Sequence, residues 1–316
     1  MSTASGAGSR QSATPSQGLA LAALLLGAVC IAMSPIFVRV SETGPTATAF
    51  WRVALAVPAL WVLYGAFGRA KGGATCPSGS KRSSPRSSML LLAAAAIAFA
   101  GDLAFWHFSV QLTSVANSTL LANLAAIFVT LAAWLIFRQP PSRLFLVGLV
   151  TAMIGVGMLV STSIAFSSTA LAGDALGVVT AMFYAWYLLT VKSLRDGGLG
   201  TLKLMAITTT LTAVLLLPVA LATGEQMLPD SSEGWLKLAG IALISHAGGQ
   251  GLIAYALAHL PATFSSVSLL LQPVMAGVFA WVLLGEPLVP LQIAGGIVVL
   301  AGIYLSRKGS APERAA

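Results

Sequence analysis

The sequence predicts an all-α integral membrane protein in which ten transmembrane helices form an inverted-topology repeat of two five-helix halves. Composition is the first of three observations behind this prediction: 57% of the 316 residues are hydrophobic and 8% are charged. Soluble domains are about 45–50% apolar and about 25% charged, so 17 basic and 9 acidic residues are too few to cover a soluble globule. The composition excludes an ordinary soluble enzyme, a disordered chain and a nucleic-acid-binding module.

Ten apolar runs are long enough to cross the hydrocarbon core, which takes about 20 helical residues. Helices are expected because they satisfy their own backbone groups in lipid, and the runs lack the alternation of barrel strands. Residues 1–17 are predicted to be a disordered tail, and the next run would suit a cleaved signal peptide if it stood alone. The ten spans are expected at 19–38, 46–68, 89–111, 115–137, 144–163, 174–191, 202–222, 236–257, 263–284 and 289–306.

The second observation is the distribution of charge, because cytoplasmic loops of membrane proteins are enriched in Lys and Arg. With the N-terminus inside, 14 of the 17 basic residues become cytoplasmic, several of them in a flexible linker at 69–88. The sequence therefore predicts a multi-pass protein of the cytoplasmic (inner) membrane with both termini in the cytoplasm. The 14 residues are Arg10, Arg69, Lys71, Lys81, Arg82, Arg86, Arg138, Arg143, Lys192, Arg195, Lys203, Arg307, Lys308 and Arg314, and the acids expected outside are Glu42, Asp174, Glu225, Asp230, Glu233 and Glu286.

The third observation is an internal repeat. Each half holds five spans, and because five is odd the second half enters the membrane from the opposite side. Inverted repeats are typical of secondary transporters, whose halves alternate around a site at the midplane; a duplication that only builds a stable bundle is the alternative. A shift of 147 residues aligns Gly101 with Gly248, Ser118 with Ser265, Trp134 with Trp281, Pro140 with Pro287, Gly148 with Gly295 and Gly155 with Gly302.

A family resemblance follows from the motif in residues 269–308, LLLQPVMAGVFAWVLLGEPLVPLQIAGGIVVLAGIYLSRK. This segment resembles the ten-span EamA-type members of the drug/metabolite transporter superfamily. The shared pattern is a Pro early in the ninth span, followed by Gly-Glu and then by two glycines seven residues apart. In this chain those residues are Pro273, Gly285, Glu286, Gly295 and Gly302; Arg52 and Gly173-Asp174 also match the family pattern.

The first half carries the same pattern in residues 113–159 but departs from it at two positions, with Gln139 in place of Glu and Ala126 in place of Pro. The resemblance extends over about residues 19–308. It implies two EamA-like repeats at 18–163 and 170–308, followed by a tail at 309–316. It also implies export of small metabolites or drugs, without defining a substrate.

The sequence contains no P-loop, GxSxG, HExxH or Cys-pair metal motif, so an enzyme is not expected. The favoured hypothesis is a secondary-active exporter that works by alternating access. An uptake carrier on the same fold is an alternative, since topology does not set the direction of flux, and a non-transporting membrane enzyme or lipid-handling protein is a third. The expected partners are a small-molecule substrate and the lipid bilayer, with protons as a candidate coupling ion; no cofactor, metal or nucleic acid is expected, and monomer and homodimer both stay open.

Asp102 is the acid that lies well inside a span, and such residues commonly face a cavity because burying a charge in hydrocarbon is costly. It is predicted either to recognise a cation or carry a proton, or to be a buried, hydrogen-bonded packing residue. Trp106 follows four residues later on the same helix face, whereas His107 lies about 140° around the helix from Asp102.

Asp102 and Trp106 belong to a predicted substrate-binding set with four further polar residues, each of which could instead have a structural role. His107 and His246 could pass protons or be satisfied hydrogen-bond partners, and Gln250 extends a polar stripe one turn from His246. Arg52 could bind an anion or form an ion pair, or its side chain could snorkel to the outer surface.

The remaining members of the predicted set are two amides and two tyrosines. Asn123 and Gln272 sit near the middle of the fourth and ninth spans, where their amides could line a site or bridge helices. Tyr184 and Tyr187 belong to an aromatic group in the sixth span that could form a binding wall or an interface belt. Glu286 is expected to organise its turn.

Overall fold

In the computed structural model, ten helical spans form one bundle, and the described part of the chain contains no strand. The structure describes residues 15–68, 85–113, 115–160 and 168–310. The predicted disorder of residues 1–17 and flexibility of the 69–88 linker therefore concern residues that lie largely outside the described ones. The same is true of most of the tail at 309–316.

Several of the ten spans are built from more than one helical segment. The spans, labelled α1 to α10, are as follows. In the first half, α1 comprises Pro15–Ala32 and Ser34–Arg39; α2 comprises Pro45–Ala54, Ala56–Leu63 and the π-helical Tyr64–Gly68; α3 is Pro85–Leu112; α4 comprises Val115–Ala122 and Ala125–Leu135; and α5 is Arg143–Val160. In the second half, α6 is Ser168–Asp196; α7 is Thr201–Ala222; α8 comprises Ser232–Gly240, the π-helical Ile241–Gln250 and Gly251–Ala256; α9 comprises Ala262–Ser268 and Leu271–Leu284; and α10 is Pro290–Gly309.

The predicted ten apolar spans are confirmed, and their bounds agree with the prediction to within about five residues. The largest difference is at α6, which continues past the apolar run to Asp196. Its last turns carry Lys192 and Asp196, whose side chains pair at 2.8 Å one turn apart. Charged residues that support each other along a helix extend it beyond the point where hydrophobicity ends.

Side-chain contacts define the two ends of the bundle. At one end, called the Glu42 end, the Glu42 carboxylate accepts hydrogen bonds from the backbone N–H groups of Asp230 and Ser231, both at 3.0 Å. Glu225 likewise accepts from the N–H of Thr46 at 2.8 Å. The loop α1–α2 therefore places the Glu42 carboxylate near the N-terminal end of α8, and the loop α7–α8 places the Glu225 carboxylate near the N-terminal end of α2.

The opposite end is called the Lys192 end. Here the Ser142 hydroxyl donates to the carbonyl of Gly309 at 2.6 Å, and the Arg195 guanidinium donates to the carbonyl of Ala254 at 3.1 Å. Since α5 begins where α10 ends, these two helices run antiparallel. Equivalent helices of the two halves therefore cross the bundle in opposite directions.

The repeat is visible in the packing of α5 on α10. A Cβ added to Gly148 would lie 2.7 Å from the carbonyl oxygen of Gly302, and one added to Gly295 would lie 2.8 Å from that of Gly155. A shift of 147 residues exchanges these two contacts. Contacts between whole helices correspond in the same way when each helix is replaced by its equivalent in the other half. α3 packs on α6 as α8 packs on α1, and α4 packs on α6 as α9 packs on α1. The bundle therefore has an approximate two-fold axis between its halves.

Equivalent helices also break at equivalent places. α4 is interrupted between Ala122 and Ala125, and α9 between Ser268 and Leu271, which correspond to within one residue under the shift. α1 is interrupted at Met33, just before Pro35, whose ring cannot continue the hydrogen-bond ladder. Non-helical backbone at membrane depth is tolerated where it is buried in protein or lines a cavity. The breaks therefore mark where a site is expected.

Candidate functional site

A polar cavity of about 110 Å³ lies beside these breaks, among α1, α2, α3, α4, α6, α8 and α9. The predicted substrate-binding residues come from α2, α3, α4, α6, α8 and α9, and the structure adds α1. Seven of the ten predicted residues line it: Arg52, Asp102, Trp106, Asn123, Tyr184, Gln250 and Gln272.

Arg52 points inward, and its side chain is almost fully buried. One terminal nitrogen donates to the Ser34 hydroxyl at 3.0 Å, while Nε has no hydrogen-bond partner among the described residues. The snorkelling alternative is therefore wrong: two turns into α2, the guanidinium finds polar groups in the cavity closer than the membrane surface. Ser34 sits at the break of α1, which explains why a hydroxyl is available there.

Asp102 and Trp106 lie one turn apart on α3 and face the same cavity. Asp102 is partly exposed to the cavity space, and its carboxylate is not among the ion pairs of the described residues. The cavity thus holds one acidic and one basic side chain, Asp102 and Arg52, that are not joined in a direct pair. Such a pair of separated charges can bind opposite charges on a solute.

A second polar group is formed by Tyr184, Gln250 and Gln272, which come from α6, α8 and α9. The Tyr184 hydroxyl lies beside both amides. However, the hydroxyl, Gln250 Oε1 and Gln272 Nε2 are all buried and make no hydrogen bond of ordinary geometry within the described part of the chain. Since a hydroxyl both donates and accepts, Tyr184 and the two amides can pair with one another, and together they form a polar wall of the cavity.

Asn123 uses its amide locally. Nδ2 donates to the carbonyl of Thr119 at 2.7 Å, across the break of α4. This hydrogen bond lies within α4 and does not join two helices, so it supports the irregular backbone that forms one wall of the cavity.

Three predicted residues do not line the cavity: His107, Tyr187 and His246. His107 is turned away from Asp102 and its Nδ1 lies 2.6 Å from the carbonyl oxygen of Leu103. His246 Nε2 lies 2.8 Å from the Thr209 hydroxyl on α7. One nitrogen of each ring, His107 Nε2 and His246 Nδ1, has no hydrogen-bond partner among the described residues.

The aromatic residues of α6 face different directions. Tyr184 lines the cavity and Trp186 is 43% exposed on the outer surface of the bundle. Tyr187 stacks on Phe99, with ring centroids 4.7 Å apart, and both side chains are 2% exposed. On α6 and α3 these two residues lie one turn nearer the Lys192 end than Tyr184 and Asp102. The pair therefore lies on the side of the cavity toward the Lys192 end, although neither residue lines the cavity.

Sequence reasoning missed the contribution of α1, where Ser34 and Pro35 line the cavity. The signal was available: a Ser-Pro pair inside an apolar run predicts a break in the helix, with a hydroxyl beside it. Thr119 and Thr180 were also missed. A threonine in an apolar helix commonly bonds its own backbone, as Thr180 does to the carbonyl of Leu176 at 3.0 Å, so it gives little signal.

Two larger spaces flank the cavity and are related by the repeat. A groove of about 840 Å³ lies toward the Glu42 end between α1, α9 and α10, and a pocket of about 740 Å³ lies at the Lys192 end. The groove shares five lining residues with the cavity, whereas the pocket shares none. Five groove residues have repeat equivalents in the pocket. Under the shift of 147 residues, Ala280, Leu288 and Gln292 match Ala133, Pro141 and Phe145. Near the start of each half the shift is 153 residues, and there Ile36 and Arg39 match Leu189 and Lys192.

No three His, Cys, Asp or Glu side chains come together as a metal site in the described ranges. The chemistry of the site is that of separated charges and buried hydrogen-bonding groups.

Ten apolar helices in two corresponding halves around a polar cavity are typical of secondary membrane transporters. The family model described as the EamA-like transporter family matches residues 18–161 and again residues 171–307. The chain belongs to the EamA-like transporter family and is a multi-pass membrane protein with ten apolar helices.

Two individual proteins show the same likeness. An uncharacterized transporter of Archaeoglobus fulgidus is 29% identical over 279 residues, which are 86% of this chain and 91% of that protein. A protein known from its crystal structure superposes with a TM-score of 0.76 over 95% of this chain and 100% of that one. Its sequence is 13% identical, so this second likeness concerns the fold alone.

Proposed function

We propose that the protein is a secondary-active transporter that exports small organic metabolites or drugs across the cytoplasmic membrane by alternating access. The observation that carries the proposal is the polar cavity at the breaks of α4 and α9, lined by both halves. Two inverted halves can exchange conformations, so that a site between them opens to one side and then to the other.

The two flanking spaces support alternating access. The groove continues from the cavity toward the Glu42 end, whereas the pocket at the Lys192 end shares no lining residue with the cavity. The pocket at the Lys192 end is lined by repeat equivalents of groove residues. In the alternate state, we expect the pocket to join the cavity and the groove to separate from it.

The direction of the bundle in the membrane is proposed from charge. Five basic residues lie at or near the Lys192 end: Arg138, Arg143, Lys192, Arg195 and Lys203. The carboxylates of Glu42 and Glu225 lie at the Glu42 end. Positive loops favour the cytoplasm, so the Lys192 end is assigned to the inside and both termini with it. The structure then corresponds to an outward-facing conformation.

Asp102 is assigned the central role in substrate or proton binding, because it is a carboxylate in contact with the cavity and outside any ion pair of the described residues. The remaining lining residues of the predicted set would orient the solute. His107, Tyr187 and His246 would act by packing and hydrogen bonding around the cavity.

The proposal is tested by comparing metabolites in cells and medium with and without expression, and then repeating the comparison with Asp102→Asn. We expect one or more solutes to move to the medium with the wild type, and at least a tenfold loss of that flux with Asp102→Asn at equal protein level. Glu233→Gln is the matched control, because Glu233 is an exposed acid paired with Lys237 at 3.0 Å on α8. No flux with the wild type, or full flux with Asp102→Asn, would contradict the proposal.

Liposomes separate the two roles of Asp102. If the carboxylate carries a proton, Asp102→Asn keeps exchange of substrate for substrate and loses accumulation driven by a pH gradient. If it holds the substrate, both activities fall together. Accumulation inside expressing cells instead of loss to the medium would favour the alternative of an uptake carrier.

A further inference from the structure

The groove toward the Glu42 end is almost entirely apolar. Of its lining side chains, only Arg39, Thr119, Gln292 and the indole of Trp106 carry polar groups. On its outer edge, Ile293, Ile297 and Leu300 of α10 are 52%, 63% and 50% exposed, on a surface that the bilayer would cover. The groove is therefore open to the side, at a depth where hydrocarbon surrounds the protein.

The groove and the polar cavity form one continuous space. Pro35, Trp106, Thr119, Pro273 and Ala276 line both of them. One end of this space holds Arg52, Asp102 and the polar side chains of Tyr184, Gln250 and Gln272. The other end is apolar and several times larger. A solute that fills the whole space must combine a polar head with an apolar tail.

The charges of the cavity select the head. Arg52 Nε makes no hydrogen bond within the described ranges, and the Asp102 carboxylate has no ion-pair partner there. The two charges act on each other electrostatically without forming a direct ion pair, so a head with one anionic and one cationic group can place a partner beside each of them.

The groove is long enough for a short tail. Its lining positions on α9 run from Pro273, beside the cavity, to Ala280, which is about 10 Å at the helical rise and suits roughly eight carbons. Resting on the transport function proposed above, we propose that the substrates are single-chain zwitterionic amphiphiles whose head binds between Arg52 and Asp102 and whose tail lies in the groove.

Gly277 offers a way to shorten the groove without disturbing the fold. It lies on α9 between Pro273 and Ala280, and a Cβ added there would approach only Leu288 Cδ2, at an ordinary 3.8 Å. In Gly277→Leu the new side chain would occupy the groove about 6 Å from its cavity end, by the helical rise. Gly157→Leu is the matched control, because an added Cβ at Gly157 meets nothing within 4 Å and Gly157 does not line the groove.

The experiment measures binding of N-alkyl-N,N-dimethylglycines by calorimetry to the purified full-length protein in lipid nanodiscs, with empty nanodiscs subtracted. Butyl and octyl chains are compared. We expect the octyl compound to bind the wild type at least tenfold more tightly than the butyl compound, since each buried methylene contributes about fourfold relative to water. Gly277→Leu should weaken octyl binding at least tenfold and butyl binding less than twofold, and Gly157→Leu should change neither. Arg52→Gln and Asp102→Asn should each weaken both compounds at least tenfold.

Two outcomes would overturn the inference, and a third would overturn the transport function instead. If Gly277→Leu changes the two compounds equally, or changes neither, the tail stays in the bilayer and a lipid chain occupies the groove. If the betaines do not bind while export of other solutes is intact, the amphiphile assignment fails and the transport function stands. Binding with the expected chain-length dependence but no flux in liposomes would instead overturn the transport function and leave the amphiphile site.

Discussion

Arg138 is the one non-glycine residue with a positive φ, 55°, in the described part of the chain, and it lies three residues beyond Leu135, the last residue of α4. Its repeat equivalent, Gly285, ends α9 with φ 69°. The next residue makes the same cap in both halves: the N–H of Gln139 donates to Ala133 and that of Glu286 to Ala280. The first half therefore holds a side chain in a conformation that the second half reserves for glycine.

We expect Arg138→Gly to stabilise the protein by about 1 kcal/mol, because a residue with a Cβ is disfavoured in the left-handed region by roughly that amount. The measurement is resistance to SDS-induced unfolding of the purified protein. Gly285→Arg should lower stability by a similar amount. An Arg138→Gly variant that is less stable than the wild type would show that the guanidinium makes compensating contacts.

Glu42 gives a pH-dependent prediction at the same scale. A hydrogen bond of 2.5 Å from the Ser231 hydroxyl, backbone N–H donors and nearby Lys237 hold the pKa of the Glu42 carboxyl below its usual value, against the opposing effect of burial. The pKa of Glu42 is thus lower in the folded protein than in the unfolded chain, where it is about 4.3. The hydrogen bonds of Glu42 therefore contribute their full stability at pH values above about 4.3. That contribution is lost as the pH falls through the folded value.

Glu42→Gln should therefore lower the thermal midpoint at pH 7, and the difference from the wild type should shrink as the pH falls below about 4. Thermal unfolding followed from pH 7 to pH 3 measures both effects. Glu233→Gln, at an exposed position on the same face of the bundle, should show a much smaller difference at neutral pH. A difference that grows in acid would contradict the assigned cap.

At the scale of elements, α5 and α10 pack closely because glycines stand where the two helices meet. Gly148, Gly155, Gly295 and Gly302 bring the two backbones into contact, which lets helices associate in lipid through close packing. The sequence marked all four by their equal spacing in the two halves. It did not show that they face each other, because equal spacing also arises in helices that never touch.

Gly155→Val tests this interface. An added Cβ at Gly155 would lie 2.6 Å from the backbone nitrogen of Val299, so the helices must separate, at a cost of about 1–3 kcal/mol or a failure to fold. Gly157→Val, two residues along α5, should leave stability unchanged because nothing lies within 4 Å. The readout is the monodisperse fraction of protein after heating in mild detergent. Equal losses in the two variants would mean that α5 tolerates no branched side chain at all.

Breaks in helices were the least predictable elements. The Pro residues of α1 and α9 signal two of them, and the break of α4 occurs without a Pro, since Ala126 stands where the family has one. Two other features accompany the break in α4. Within the helix, Asn123 donates to the carbonyl of Thr119 at 2.7 Å, and the segment after the break packs against α9.

At the scale of the whole molecule, orientation in the membrane is directly testable. In a background with Cys30 and Cys76 replaced, Asp230→Cys at the Glu42 end should react with an impermeant maleimide in intact spheroplasts. Gly200→Cys at the Lys192 end, where an added Cβ meets nothing, should react only after permeabilisation. The opposite pattern would invert the assigned direction, and labelling of both positions would indicate two orientations.

The sequence by itself determined the class, the ten spans and the two halves of this protein, because hydrophobic length and a repeated glycine pattern are properties of the chain that need no partner. It also named most of the polar residues around the cavity, since a polar side chain in an apolar span must face protein or water. Tertiary structure alone decided which of them meet: Arg52 turns inward to Ser34, while His107, Tyr187 and His246 turn away from the cavity. Those choices depend on how helices distant in sequence are rotated against each other, and that rotation is set by packing across the two-fold axis, which no single span encodes.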